Sequence, residues 1–172
     1  VCGIIAALAY KNPVRTVAPQ IGKTVKPEVK KPAYFSPLNG LAVASAADQT
    51  APVTAVMIEN SPDARPQSGL QQADVVYEAI AEGGITRFLV LYQASAPELI
   101  GPVRSVRLYD LEWLAPYQGS LAHVGGSARA LQVVRSGGAW RDLDQFFNAG
   151  SYWRVSDRSS PHNVYTTTEK LH

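Results

Sequence analysis

Two carboxylates and a guanidinium, Glu78, Glu82 and Arg87, fall close together in DVVYEAIAEGGITRFLVLY, the stretch from Asp74 to Tyr92. Gly83-Gly84 accepts the positive φ that a tight turn needs, so the stretch is expected to fold as a β-hairpin. With the two glycines as the loop, residue i pairs with residue 167−i, which sets Ile80 opposite Arg87 and Glu78 opposite Leu89. Side chains alternate across a strand, so Glu78, Ile80, Glu82, Ile85, Arg87 and Leu89 are expected on one face. Arg87 then lies diagonal to both glutamates, within reach of a long side chain. The glutamate pair also invites a glycosidase reading. Residues four apart on a strand, however, lie ~13 Å apart at their Cα atoms, longer than the usual spacing of two catalytic carboxylates.

Further along, Arg104 and Arg107 flank Ser105, a good N-cap for a following helix. Cations are disfavoured at a helix N-terminus by a few tenths to ~1 kcal/mol. Two arginines there point to an anion, or a carboxylate such as Glu78, between them; the alternatives are solvent or Asp110. His123 to Ser127, HVGGS, is a strand–glycine–glycine–helix junction whose bare backbone N–H groups could cradle an anion. Ser127 is either the cap of that helix or a ligand contact, and His123 alone would be a satisfied structural histidine. Pro161-His162-Asn163 sets another histidine near Arg154 and Arg158. No Ser-His-Asp order with a strand–elbow context is present, so a hydrolase triad is unsupported. Cys2 is the only cysteine, and the histidines at 123, 162 and 172 are too few and too scattered for a zinc signature, so no metal is expected. The candidate ligand-binding set is therefore Glu78, Glu82, Arg87, Arg104, Arg107, His123, Ser127, His162 and Asn163, converging on one cleft. No catalytic role or cofactor is assigned.

The elements that must position these residues follow from periodicity and punctuation. VTAVMIEN from Val53 is a strand, preceded over 41–51 by a loop and followed by the turn-rich SPDARPQSGL and a helical turn over 71–74. Val106, Tyr109, Trp113, Leu114 and Tyr117 recur at helical spacing after Ser105, and Pro116 marks the end. SLAHV is a short strand, ARALQVVRS a helix stopped by Gly137-Gly138, DLDQFF a short helix, and YWRV and PHNVY extended pieces. Thr166-x-x-Glu169 is a capping box that opens a last helix. The fold class is α/β (α+β): a central mixed β-sheet with the antiparallel hairpin at its middle and helices packed on it.

Of the 172 residues 46% are hydrophobic, enough for a sizeable core, and the net charge of +2 is unevenly spread. Residues 11–32 carry six basic side chains against Glu28 (6 − 1 = +5), whereas residues 33–172 carry ten basic and thirteen acidic ones (10 − 13 = −3). A mildly acidic folded part argues against a nucleic-acid binder. The apolar residues 1–10 are too short to span a bilayer, which takes roughly 20. They read as the end of a membrane anchor or signal segment, with a lipidated Cys2 as the alternative. Residues 11–36 read as a Pro/Lys-rich spacer and 37–172 as the domain.

ARPQSGLQQADVVYEAIAEGGITRFLVLYQ, IGPVRSVR, HVGGSARAL and SPHNVYTTTEKL resemble, in order, the successive motifs of the YerB-like putative lipoprotein family. That family is a bacterial domain of unknown function, usually tethered outside the cytoplasmic membrane. The likeness runs from about Pro37 to the end and includes Arg65, Gln67 and Asp74 beside the candidate residues. The family pattern continues past residue 172, which implies an N-terminal domain truncated at its C-terminus. A fainter likeness to LytR-CpsA-Psr phosphotransferases would set Asp74, Arg87, Arg104 and Arg107 around a phosphate. The resemblance implies a domain at the cell membrane, on its extracytoplasmic side. The resemblance supplies no activity; the residues themselves are read as an Arg/Glu/His cleft that binds an anionic envelope ligand or an envelope protein. The alternatives are an envelope enzyme transferring phosphoryl or glycan groups, and a structural interaction module whose polar cluster locks the fold.

Overall fold

The computed structural model describes residues 33–138 and 140–172. The anchor and spacer readings of residues 1–32 lie outside the described residues. In chain order the elements are β1 (Tyr34–Phe35), β2 (Ala42–Val43), α1 (Ala46–Gln49), β3 (Thr54–Glu59), β4 (Val75–Ile80), β5 (Thr86–Tyr92), α2 (Leu108–Leu114), β6 (Ser120–His123), α3 (Ala128–Arg135), β7 (Arg141–Asp144), β8 (Trp153–Arg154), β9 (Val164–Tyr165) and α4 (Thr168–Leu171). The main sheet has the order β4-β5-β3-β6-β7. Its β4–β5 and β5–β3 pairs are antiparallel, while β3–β6 and β6–β7 are parallel. This is the mixed α+β fold that the sequence pattern implied. β1, within the last residues given to the spacer, already pairs with β2.

The hairpin lies at one edge of the sheet rather than at its middle. Every residue of β3 is buried, as suits a strand flanked on both sides and both faces, and β3 takes the centre. β4 alternates between half-buried and exposed positions, the pattern of an outer strand. The hairpin register also differs from expectation. The loop has three residues, Glu82-Gly83-Gly84, with the glycines at φ +61° and +76°. Around it the Ala81 and Ile85 N–H groups donate to Ile85 O and Glu82 O at 2.8 and 3.0 Å. Ile80 therefore faces Thr86, Ala79 faces Arg87 and Glu78 faces Phe88. A one-residue shift turns side chains to the other face, so Glu78 and Arg87 do not share one.

The sheet is covered on both sides. On one face Ala55, Met57, Leu89, Leu91 and Leu121 pack with Leu111 and Leu114 of α2 and Ala130 and Val134 of α3. On the other, Val56, Ile58, Val90, Tyr92 and Ala122 pack with Ile100, Val103, Tyr152, Val164 and Leu171. Each Val, Leu, Ile or Met among them contributes about 1.5–3 kcal/mol on removal from water. β6 lies against only the first half of β3, Thr54 to Val56. The segment 102–104 lies against the second half: the Glu59 N–H donates to Pro102 O and the Arg104 N–H to Met57 O, each at 2.9 Å. That substitution brings Arg104 beside Glu59.

Four local expectations are corrected. α2 begins at Leu108 with Arg107, not Ser105, at its cap, because the Asp110 carboxylate accepts the Arg107 backbone N–H at 2.7 Å. Arg141–Asp144 is strand β7, not helix, since pairing with β6 buries Leu143. Thr167 rather than Thr166 caps α4, accepting from Lys170 N–H at 3.1 Å, while the Thr166 hydroxyl donates to Ser151 O at 2.7 Å. Residues 41–51 include β2 and α1, the latter capped by Ser45. Among the described residues no helix is long and apolar enough to cross a membrane.

Candidate functional site

Where β3 ends and the β4–β5 hairpin turns, a cavity of about 290 Å³ opens, lined by Glu59, Ser61, Asp63, Glu82, Arg87, Arg104 and His162 among others. Glu59, the last residue of β3, is buried and organises its inner wall. The Ser61 hydroxyl donates to Glu59 Oε1 at 3.0 Å, and His162 Nδ1 lies 3.0 Å from Oε2. Arg104 Nε comes within 3.2 Å of the same Oε2. That contact is close enough for an ion pair but too poorly directed for a hydrogen bond, since the Nε–H remains buried without an acceptor. His162 Nε2 points the other way, 4.0 Å from the exposed Asp63 carboxylate.

The outer wall is a second ion group. Arg87 is buried and donates through Nη1 to Ser105 O at 2.8 Å and through Nη2 to Glu82 at 3.4 Å. Arg107 also donates to Glu82, so one carboxylate at the hairpin tip joins two guanidiniums. Partial burial alone would raise the Glu82 carboxyl, but the hydrogen bond and charge of Arg107, with Arg87 behind it, hold it below its ordinary range. Burial lowers the Arg87 guanidinium, and the nearby Arg107 adds to that. Beneath them Asp110 is pushed up to about 6 by burial, which outweighs its bond from the Arg107 N–H and the attraction of both arginines.

Of the nine candidate residues, Glu82, Arg87, Arg104 and His162 line this cavity, and Arg107 borders it through Glu82. The other four sit elsewhere. Glu78 is on the opposite face of the hairpin, accepting from Asn60 Nδ2 at 3.3 Å, so the carboxylates that meet the arginines are Glu82 and Glu59. His123 is fully buried, bonded through Nδ1 to Gly125 O at 2.8 Å and through Nε2 to Asp142 at 2.9 Å. Ser127 caps α3 by accepting from Ala130 N–H at 3.4 Å. The anion cradle read in HVGGS is filled from within the chain. Asp144 accepts from the Gly125 N–H at 3.0 Å and from Arg135 at 3.0 Å. Asn163 staples the loop that carries His162, donating to Val155 O and Arg158 O at 3.1 and 3.2 Å and accepting from Arg154 at 2.7 Å.

Asp74 does not join Arg87, Arg104 and Arg107. It lies at the far end of β4, where its carboxylate takes bonds from Asn39 and from Gln93 N–H, each at 2.7 Å. It lines a larger hollow of about 550 Å³ that contains no arginine. Size alone would favour that hollow; the clustering of opposed charges favours the smaller cleft. Among the described residues no group of histidine, cysteine and acidic side chains is arranged to hold a metal.

Sequence reasoning missed Glu59, Ser61 and Asp63. A signal was available in VTAVMIEN: a strand apolar at successive positions leaves no solvated face, so a charge at its end must find a partner.

Residues 38–172 match the family described as "Protein of unknown function (DUF3048) N-terminal domain". The chain belongs to that family. It is 42% identical over 138 residues to "Putative lipoprotein YerB" of Bacillus subtilis (strain 168), across 79% of this chain and 41% of YerB. The crystal structure of YerB protein from Bacillus subtilis aligns with a TM-score of 0.75 at 38% identity, covering 80% of this chain and 47% of that one. This chain thus spans less than half the length of the relative it matches. Within this DUF3048 domain, Arg65 and Gln67, two of the positions that carry the resemblance, brace the loop after β3. Arg65 Nε and Gln67 Nε2 both donate to Asn60 Oδ1, at 3.0 and 2.6 Å, and Asn60 Nδ2 donates to the Thr86 hydroxyl at 2.6 Å. Ser61 and Asp63 are thereby set at the mouth of the cleft.

Proposed function

We propose that this domain binds an anionic, acceptor-rich group of a cell-envelope ligand in the Glu59–Arg104–Arg87 cleft, as the membrane-tethered extracytoplasmic part of its protein. The observation that carries the reading is an excess of donors. The Arg104 Nη groups make no hydrogen bond among the described residues, and the Arg104 and Arg87 Nε–H groups are buried without acceptors. Buried and half-buried donors are normally satisfied, and a phosphate or carboxylate supplies several strong acceptors at once. The tethering is supported by the lipoprotein name of the relative and by the apolar run that follows Cys2.

Calorimetric titration of the full chain with dimethyl phosphate, methyl phosphate and acetate tests this. Wild type is expected to bind at least one of them, and Arg104→Ala to weaken binding by at least about tenfold, or ~1.4 kcal/mol, with an unchanged far-UV spectrum. No binding by wild type, or equal affinity in the variant, would leave the ion groups as a lock on the fold.

A further inference from the structure

The proposed anion site contains a group that binding alone does not require. The Glu59 carboxylate is buried and fixed by the Ser61 hydroxyl on one oxygen, and its other oxygen lies 3.0 Å from His162 Nδ1. An ionised carboxylate only accepts, so it holds the imidazole proton on Nδ1 and leaves Nε2 with its lone pair. Nε2 makes no hydrogen bond among the described residues, and the Asp63 carboxylate lies 4.0 Å from it. His162 and Asp63 line both the 290 Å³ cavity and an adjoining one of about 470 Å³ that also takes in Asp157 and Arg158. The histidine therefore borders ligand space in both cavities.

We infer that Glu59 and His162 form a proton-transfer dyad and that the cleft hydrolyses phosphodiesters, an inference that rests on the anion-binding reading. Ser61 is not the nucleophile. Its hydroxyl donates to Glu59 and lies 3.4 Å from Nδ1, on the side of the imidazole away from the lone pair. A water molecule takes that role. His162 Nε2 accepts a proton from the water as its oxygen bonds to phosphorus. The bond from phosphorus to the leaving oxygen, opposite the entering water, breaks; that oxygen takes a proton from solvent and the imidazolium gives its own back to solvent. Diester and water become monoester and alcohol, with no other reactant. Arg104 and Arg87 face the phosphoryl oxygens, where charge is held through the displacement.

Charge selects the diester. Glu82 joins Arg87 and Arg107, Glu59 pairs with Arg104, and Asp63 is open to solvent, its side chain 81% exposed. The three guanidiniums against Glu59 and Glu82 leave one positive charge (3 − 2), which suits the monoanion of a diester better than the dianion of a monoester. His162 is the catalytic residue here, and Glu59, which acts through it, is a positioning residue.

The test follows p-nitrophenolate release by the full chain from bis(p-nitrophenyl) phosphate and from p-nitrophenyl phosphate, with dimethyl phosphate binding measured in parallel. The diester is expected to turn over faster than the monoester. His162→Gln should lower kcat by ~10²-fold or more with dimethyl phosphate affinity within about threefold of wild type. Glu59→Ala removes the acceptor that holds the imidazole proton on Nδ1 and should lower kcat with KM for the diester little changed, whereas Glu59→Asp, which keeps a carboxylate, should retain more of kcat. Binding without diester turnover, or turnover unchanged by His162→Gln, overturns the dyad while the anion-binding reading survives. Absence of binding overturns both. The Glu59 pair of variants keeps the dyad testable if His162→Gln does not fold, and equal kcat in Glu59→Ala and wild type overturns it.

Discussion

Replacement of Asp144 by alanine probes the internal anion cradle most directly. Asp144 is fully buried and accepts from the Gly125 N–H at 3.0 Å, the Phe146 N–H at 3.3 Å and Arg135 at 3.0 Å. Alanine leaves both backbone donors without their acceptor. A buried unsatisfied donor costs roughly 1–3 kcal/mol. Gly125 is half-buried and Phe146 exposed, so water takes up part of the loss. The Arg135 side chain is 45% exposed and returns to solvent at little cost. The sum for Asp144→Ala is therefore about 2–3 kcal/mol. Asp144→Asn keeps an acceptor oxygen and should cost about 1 kcal/mol, the charge-assisted part alone. Urea unfolding of both variants, with m compared to wild type, measures this. Formate supplies the missing carboxylate and should raise the midpoint of Asp144→Ala while leaving wild type unmoved. An alanine variant within 0.5 kcal/mol of wild type, a value set by the usual scatter of surface substitutions, would show that the cradle does not depend on its internal anion. Equal losses in the two variants would refute the hydrogen-bond account.

Asp110 should make stability depend on pH. Its carboxyl rises from 3.8 to about 6 on folding, so its contribution is full below the lower value and is lost as pH climbs through the higher one. Wild type should lose up to ~3 kcal/mol across that range relative to Asp110→Asn, at 1.36 kcal/mol per pH unit, as read from urea midpoints at both ends. Glu82→Gln should leave stability within ~1 kcal/mol of wild type, because the side chain is 62% exposed. By withdrawing a carboxylate that competes for Arg87 and Arg107, it should tighten dimethyl phosphate binding, by calorimetry. Asn163→Ala removes three bonds from the loop carrying His162 and should accelerate hydrogen exchange over residues 155–163 without changing exchange in β3.

Which parts of this arrangement are legible in the amino-acid sequence depends on how far apart the partners are. The hairpin, α2, α3 and the mixed sheet are written in local periodicity and turn residues, and all four form, although the hairpin takes another register at the sheet edge and α2 starts at Leu108. So does the meeting of Arg87 with Glu82, because a hairpin tip keeps its own neighbours together. Glu78 fails for a reason of loop length. Gly83-Gly84 fits a two-residue turn, but Glu82 joins the loop, and one added residue sends Glu78 to the opposite face. Glu59 and His162 are 103 residues apart, and no local pattern brings them together. What does so is the gap left by the short β6, which pairs with β3 only as far as Val56. Past that point the segment 102–104 takes the place of a strand, bringing Arg104 to Glu59, and the Val103 N–H donates to Val164 O at 2.7 Å, bringing β9 behind it. His162, two residues before β9, is thereby held against the end of β3. The cleft is thus a consequence of a strand that stops early: the unpaired end of β3 recruits the arginine segment, and that segment recruits the histidine loop. Lengthening β6 by even two residues would displace Arg104 and His162 together while leaving Glu82 and Arg87 joined.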